Sequence, residues 1–196
     1  MGLAVLVSGT GTLLEAILEA DLTPALVLGD RPCRGLDVAA AAHVPTCCVE
    51  RATFGDSASQ PRRPPGSPPA DFDRTAFTEN VVATLRDAGI TTVAMAGFMT
   101  ILGPGAFETF SGRILNTHPS LLPAFPGAHA VRDALAFGVK VTGCTVHVAT
   151  EHVDDGPILA QEPVRVRPSD DETSLHERIK AVERRLYPRI IREVTR

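Results

Sequence analysis

Short apolar runs alternate along the chain with longer stretches whose apolar residues recur every three or four positions. That alternation predicts strands interleaved with helices, the pattern of an α/β domain with a largely parallel sheet. The first run, residues 3–7, is apolar throughout, as expected of a strand buried on both faces. Ser8-Gly9-Thr10-Gly11-Thr12 follows, then a helix over 13–20 with apolar residues at 13, 14, 17 and 18. The pattern next predicts a strand at 25–28, a helix at 36–42 and a weaker strand at 45–49. Helix is expected over 71–88, strand over 91–96 and a short helix over 104–110. A strand over 113–118 runs into Pro119, and the segment 119–127, with three prolines in nine residues, must be irregular. Beyond it the pattern predicts a helix at 131–137 and strands at 141–149 and 157–166. The last helix is expected to begin at a capping box, Ser169-Asp170-Asp171-Glu172, and to bury Leu175, Ile179, Val182 and Leu186. The expected fold is a single open, mostly parallel twisted sheet with helices on both faces, forming one domain over residues 1–196.

One stretch breaks the alternation. Residues 55–70 are proline-rich and hold no large apolar side chain, so they are expected to form an exposed, mobile loop. Elsewhere the composition is that of a packed globular domain: 44% apolar and 21% charged over 196 residues, which excludes wholesale disorder. With 19 Lys+Arg against 23 Asp+Glu the formal net charge is −4, which argues against a nucleic-acid partner. A locally positive pocket for a small anion remains compatible with that balance. Cys33, Cys47, Cys48 and Cys144 include an adjacent pair and no CxxC, so reduced thiols are expected and Cys144 reads as a small core residue. No basic segment precedes residues 3–7, and no window reaches the ~18 apolar residues of a membrane span. The expectation is a cytoplasmic protein with no membrane partner.

Three places could carry chemistry. Ser8, Gly9, Thr10, Gly11 and Thr12 lie between a strand and a helix, where close backbone approach and free helical N–H groups suit a phosphate. The loop is no dinucleotide fingerprint, because Leu14 takes the third glycine position and no acidic residue clearly closes the second strand. Asn116 and His118 are two apart on a strand and therefore project to one face near its carboxyl end. An amide donor beside an imidazole suits a carbonyl that develops negative charge, although such a pair, taken alone, more often merely satisfies backbone groups, here those of the proline-rich loop. Asp154-Asp155-Gly156-Pro157 is first a turn between two strands; a carboxylate delivered there could orient His118 and favour its charged form. His43, His129, His147, His152 and His176 have no metal-ligand spacing, and no metal is expected. Lys180 and Glu183 share a helical face and could form a weak surface pair.

Four stretches, in order over nearly the whole chain, carry a resemblance. They are Val7-Ser-Gly-Thr-Gly-Thr12, Ala96-Gly-Phe-Met-Thr-Ile-Leu102, Leu115-Asn-Thr-His-Pro-Ser-Leu-Leu-Pro-Ala-Phe-Pro-Gly-Ala-His129 and Val153-Asp-Asp-Gly-Pro-Ile-Leu-Ala-Gln161. Together they resemble the phosphoribosylglycinamide formyltransferase family, folate-dependent enzymes of purine synthesis. The resemblance implies formyl transfer from 10-formyltetrahydrofolate to the amine of glycinamide ribonucleotide, without a metal, in a monomer or weak homodimer. It implies a catalytic trio of Asn116, His118 and Asp154. It also implies phosphate and ribose contacts from Ser8–Thr12, Leu13, Lys180 and Glu183, and a folate wall of Phe98, Met99, Thr100, Ile101, Leu102, Thr150, Glu151, His152 and Val153. A cis Leu122–Pro123 peptide is implied as well. Leu13 stands where many members carry Asn, and Thr100 where Arg or Lys is frequent. Formyltetrahydrofolate hydrolase and methionyl-tRNA formyltransferase share the Asn-x-His and Asp core; each normally carries a further domain that this chain is expected to lack. A nucleotide-binding module without catalysis is the reading from another class.

Overall fold

The computed structural model describes residues 2–55 and 72–196. The proline-rich loop expected at 55–70, apart from Gly55, therefore lies outside the described residues. The fold class is the expected α/β one, with seven strands in the sheet order β3-β2-β1-β4-β5-β6-β7. The chain divides into two compact units, Met1–Ile114 and Leu115–Arg196. The sequence pattern, which predicts one domain, does not mark that division.

In the first unit, β1 (Gly2–Val7), β2 (Leu26–Gly29), β3 (Thr46–Cys48) and β4 (Ile90–Met95) pair in parallel, with β1 between β2 and β4. Leu3 to Val7 are buried, as a strand between two neighbours and two layers requires. Three helices connect the strands: α1 (Thr12–Glu19), α2 (Arg34–Ala41) and α3 (Arg74–Asp87), with α4 (Pro104–Thr109) after β4. A short 3₁₀ turn over Arg51–Phe54, which no periodicity announces, brings Phe54 edge-on to Phe77 of α3, 5.6 Å between ring centres. Its four residues are too few to show a repeat.

The second unit begins within β5 (Ile114–His118) and continues through α5 (Ala130–Phe137), β6 (Val141–Val148), β7 (Ile158–Arg165) and α6 (Glu172–Val194). Here the pairing is antiparallel, β5 with β6 and β6 with β7. Leu175, Ile179, Val182 and Leu186 are buried, as their spacing predicts, and the Tyr187 hydroxyl donates to the Leu115 carbonyl at 2.8 Å. The cap of α6 differs from the expected box at Ser169. Asp171 is the N-cap: its carboxylate accepts from the Ser174 N–H while the Ser174 hydroxyl accepts from the Asp171 N–H. Ser can close the box as well as Glu does, and this displaces the start by two residues.

The proline-rich segment between β5 and α5 is fixed to the antiparallel strands. Its Leu122–Pro123 peptide is cis. Buried Thr145 on β6 donates to the Ser120 carbonyl at 2.7 Å and accepts from the Leu122 N–H at 3.0 Å. Gln161 on β7 donates to the same hydroxyl at 3.0 Å and to the Leu122 carbonyl at 2.8 Å.

Two outcomes check these assignments. Asp171→Ala should lower the thermal unfolding midpoint and Ser169→Ala should leave it unchanged. Thr145→Val keeps the shape of a buried side chain but strands its partners, so chemical denaturation should show a loss of about 1–3 kcal/mol.

Candidate active site

Within the second unit the structure brings Asn116, His118 and Asp154 together and adds His147. The β5–β6 register sets Asn116 opposite His147, so the two side chains share a face. Asn116 Nδ2 donates to His147 Nε2 at 3.2 Å, and His147 Nδ1 lies 3.1 Å from the Val148 carbonyl. A carbonyl only accepts, so His147 carries its proton on Nδ1, and Nε2 is free to receive the amide. The ring is buried, and burial pushes its pKa below the ordinary imidazole value; the neighbouring His118 acts in the same direction, while the Val148 carbonyl and Asp154 oppose it. Sequence reasoning set His147 aside for want of metal spacing. The signal that could have found it is a lone imidazole at an otherwise apolar end of a strand.

His118 is also buried and sits between two acceptors. Its Nε2 is 2.8 Å from the Phe125 carbonyl and its Nδ1 is 3.3 Å from Asp154 Oδ2. The Asp154 carboxylate in turn accepts from the Gly127 N–H at 2.8 Å, and its Oδ1 lies 3.8 Å from His147 Nε2. Both residues that present an acceptor to His118 have left-handed backbone, Phe125 at φ 53° and Asp154 at φ 59°. That is rare for a bulky residue such as Phe and marks a segment held by its surroundings. The turn that carries Asp154 depends on Gly156, where a Cβ would run into the Val148 carbonyl oxygen.

On α6, Glu183 is half-buried beside Thr117 of β5. Burial raises its carboxyl above the ordinary range, opposed by a hydrogen bond with Thr117 and by the positive charges of Lys180 and Arg184. The pair expected between Lys180 and Glu183 is not made: Lys180 bonds Glu177 at 2.9 Å, because the opposite i−3 neighbour is exposed and Glu183 turns inward. Cys144 is fully buried as expected, 3.2 Å from Thr117 Oγ1, and burial pushes its thiol up to about 12. Thr150 Oγ1 donates to the His152 carbonyl at 3.1 Å, while Glu151, His152 and Val153 are exposed.

In the first unit, the glycine loop is pinned by the start of α2. The Gly9 carbonyl accepts from the Gly35 N–H at 3.0 Å and the Thr10 carbonyl from Arg34 at 2.5 Å. With both carbonyls turned to α2, the N–H groups of the same two trans peptides, those of Thr10 and Gly11, face away from it. Gly11, the residue before α1, has φ 75°, and a Cβ there would meet the Gly35 Cα at 2.7 Å. Thr12, Leu13 and Leu14 then offer first-turn N–H groups with no intrahelical acceptor. The Leu13 side chain is buried, so only its backbone is available to a ligand. Ser8 is buried too, and its oxygen accepts from the Met99 N–H at 2.8 Å.

Of the expected folate wall in this unit, Phe98, Thr100 and Leu102 are buried, whereas Met99 and Ile101 are 60% and 50% exposed. Thr100 donates to Asp30 at 2.6 Å, so its hydroxyl is directed inward. Asp30 corrects the expectation that no acidic residue closes the second strand: β2 extends to Gly29, and Asp30 follows directly, fully buried. Burial alone would raise its carboxyl; hydrogen bonds from Arg31, Thr100 and Ser8 outweigh that and hold it below the usual range. Among the described residues, no group of three His, Cys, Asp or Glu is placed to hold a metal ion, and no helix is long and apolar enough to cross a membrane.

Known proteins agree with this architecture along the whole chain. The Formyl transferase family matches residues 1–191. The phosphoribosylglycinamide formyltransferase of Mycobacterium tuberculosis is 49% identical over 189 residues, 94% of this chain and 80% of that protein. The enzyme of the same name from Bacillus subtilis is 33% identical over 198 residues, covering 97% of this chain and 93% of its own. The crystal structure of glycinamide ribonucleotide transformylase 1 from Symbiobacterium toebii superimposes with a TM-score of 0.84 at 40% identity, covering 98% of this chain and 86% of that one. A chain matched from residue 1 to residue 191, across both units, belongs to the formyl transferase family, with the phosphoribosylglycinamide formyltransferases.

Proposed function

We propose that this chain transfers the formyl group of 10-formyltetrahydrofolate to the amine of N1-(5-phosphoribosyl)glycinamide, in purine (IMP) synthesis. The observation that carries this reading is the burial of His118 between the Asp154 carboxylate and the Phe125 carbonyl, in a chain whose relatives bear that enzyme's name. The match over both units supports one formyltransferase domain across residues 1–196. It works in the cytoplasm as a monomer or weak homodimer, with no nucleic-acid or membrane partner.

The amine attacks the formyl carbon directly, and the carbonyl oxygen becomes an oxyanion. Asn116 has two N–H bonds on Nδ2; one goes to His147, which leaves the other for the oxyanion. Neutral His147 thus fixes which way the amide points. Both nitrogens of His118 face acceptors, an arrangement satisfied in full by the doubly protonated ring. Nδ1–H is turned to the enclosed Asp154, so Nε2–H, now given to Phe125, is the proton a substrate can take over. It stabilises the oxyanion and then passes to the departing folate nitrogen. Asp154 orients the ring and, through water, assists loss of the amine proton. No side chain is acylated.

The glycine loop Ser8, Gly9, Thr10, Gly11, Thr12 and Leu13 receives the phosphate through backbone N–H groups. In the second unit Lys180, paired with the exposed Glu177, is a further contact for an anionic group of the substrate, and its surface pair is given up at little cost. Glu183 accepts from the ribose. In the first unit Met99 and Ile101, exposed apolar side chains over buried Phe98 and Leu102, are the contacts for the flat folate ring; in the second unit Thr150, Glu151, His152 and Val153 are the folate contacts beside Asp154.

His118→Ala should lower turnover by ~10²–10⁴ and, because it strands two enclosed acceptors, should also lower the unfolding midpoint while the protein stays folded. Activity near that of the parent would contradict the role of His118. In the same assay, tetrahydrofolate released without glycinamide ribonucleotide would point instead to a hydrolase. His147 gives a pH dependence whose sign is fixed. The unfolded chain takes up its proton near the ordinary value of 6.5, which the folded ring resists, so the stability it confers is complete above that pH and lost as pH falls below it. Between pH 7 and 5, chemical denaturation should show a steeper loss for the parent than for His147→Gln.

A further inference from the structure

Asp30 is a buried carboxylate that the proposed chemistry leaves unused. Three hydrogen bonds converge on it. Arg31 donates from Nε to Oδ1 and from Nη2 to Oδ2, each at 2.9 Å, and Thr100 donates to Oδ2 at 2.6 Å. Ser8 helps to hold the Asp30 pKa down, and the Ser8 oxygen accepts from the N–H of Met99, the residue next to Thr100, at 2.8 Å. An ionised carboxylate has about four acceptor sites and no donor, and here three of them are filled by side-chain donors. An amide in its place would turn N–H groups against other donors.

The partners come from separate parts of the unit's sheet. Ser8 follows β1, Asp30 follows β2, and Met99 and Thr100 follow β4, all at the carboxyl ends of parallel strands, where open α/β sheets hold their ligands. We propose that Asp30 is a positioning residue that ties the glycine loop to the segment 98–102, so that the geometry of one binding loop is set by the other. The inference rests on the reading that these two loops receive the phosphate and the folate. The tie runs through side chains that are themselves enclosed, Ser8 at 8% exposure and Thr100 at 3%, and neither has to touch a ligand to transmit it.

The test uses the full chain with Asp30→Asn and Thr100→Val, measuring KM for each substrate, kcat and hydrogen exchange at the Met99 amide. Asp30→Asn should raise both KM values by about tenfold, the effect of losing one charged hydrogen bond, and should speed exchange at Met99. Thr100→Val removes one hydroxyl from the folate side, yet it should raise KM for glycinamide ribonucleotide several-fold as well. A purely local role would move the folate KM alone, and that result overturns the coupling. So does an Asp30→Asn protein that folds and keeps both KM values and the Met99 exchange rate. Should Asp30→Asn fail to fold, Thr100→Val decides the matter. A parent that turns over neither substrate contradicts the functional reading; the Met99 amide still tests the tie, and unchanged exchange in both variants overturns it.

Discussion

A buried imidazole with an acceptor on each nitrogen can be kept only if both acceptors are kept in place. His118 is in that position, with the Phe125 carbonyl on one side and the Asp154 carboxylate on the other. Much of the second unit serves the two contacts. Phe125 belongs to a segment that Thr145 and Gln161 fasten to β6 and β7 through three hydrogen bonds, with a fourth joining the two side chains to each other. Asp154 is steadied by the Gly127 N–H from that same segment, and the turn below it closes because Gly156 has no side chain. The left-handed backbone at Phe125 and Asp154 is the local cost of aiming both acceptors inward.

The first unit solves a different problem, how to present backbone N–H groups without spending side chains. Its glycine loop turns two carbonyls toward α2, which leaves the opposite edge of the same peptides for a ligand. Close packing of Gly11 on Gly35 makes this possible. In the proposed phosphate site a missing polar side chain at Leu13 therefore matters little, since the donors are in the main chain. Thr100, a polar residue that would look substrate-facing in a linear reading, has its hydroxyl directed to Asp30, and the Ser8 oxygen is taken by the Met99 N–H.

Periodicity was a good guide wherever elements were long. The parallel strands, α6 and its buried stripe could be read from the spacing of apolar residues, and Asn116 and His118 from their two-residue separation on a strand. What escaped depends on contacts between distant segments. His147 is one imidazole in a strand, and only the antiparallel register sets it against Asn116. Asp30 escapes because β2 runs one residue further than its apolar run, and burial of a carboxylate requires a partner such as Thr100, 70 residues away in sequence. The cap of α6 moved because Ser174 can stand in for an acid, and Lys180 chose Glu177 because Glu183 is drawn toward Thr117. Neither choice is visible in local pattern.

In the proposed reaction His118, Asn116 and Asp154 act as stabilisers and proton carriers, and the protein itself is never acylated. Single-turnover transfer from 10-formyltetrahydrofolate labelled in the formyl carbon, quenched over time in the presence of glycinamide ribonucleotide, tests this most directly. The account predicts label passing from the folate to the ribonucleotide amine at one rate, with none on the protein at any time. Label that appears first on the protein, or that leaves as formate while the ribonucleotide stays unmodified, would contradict it.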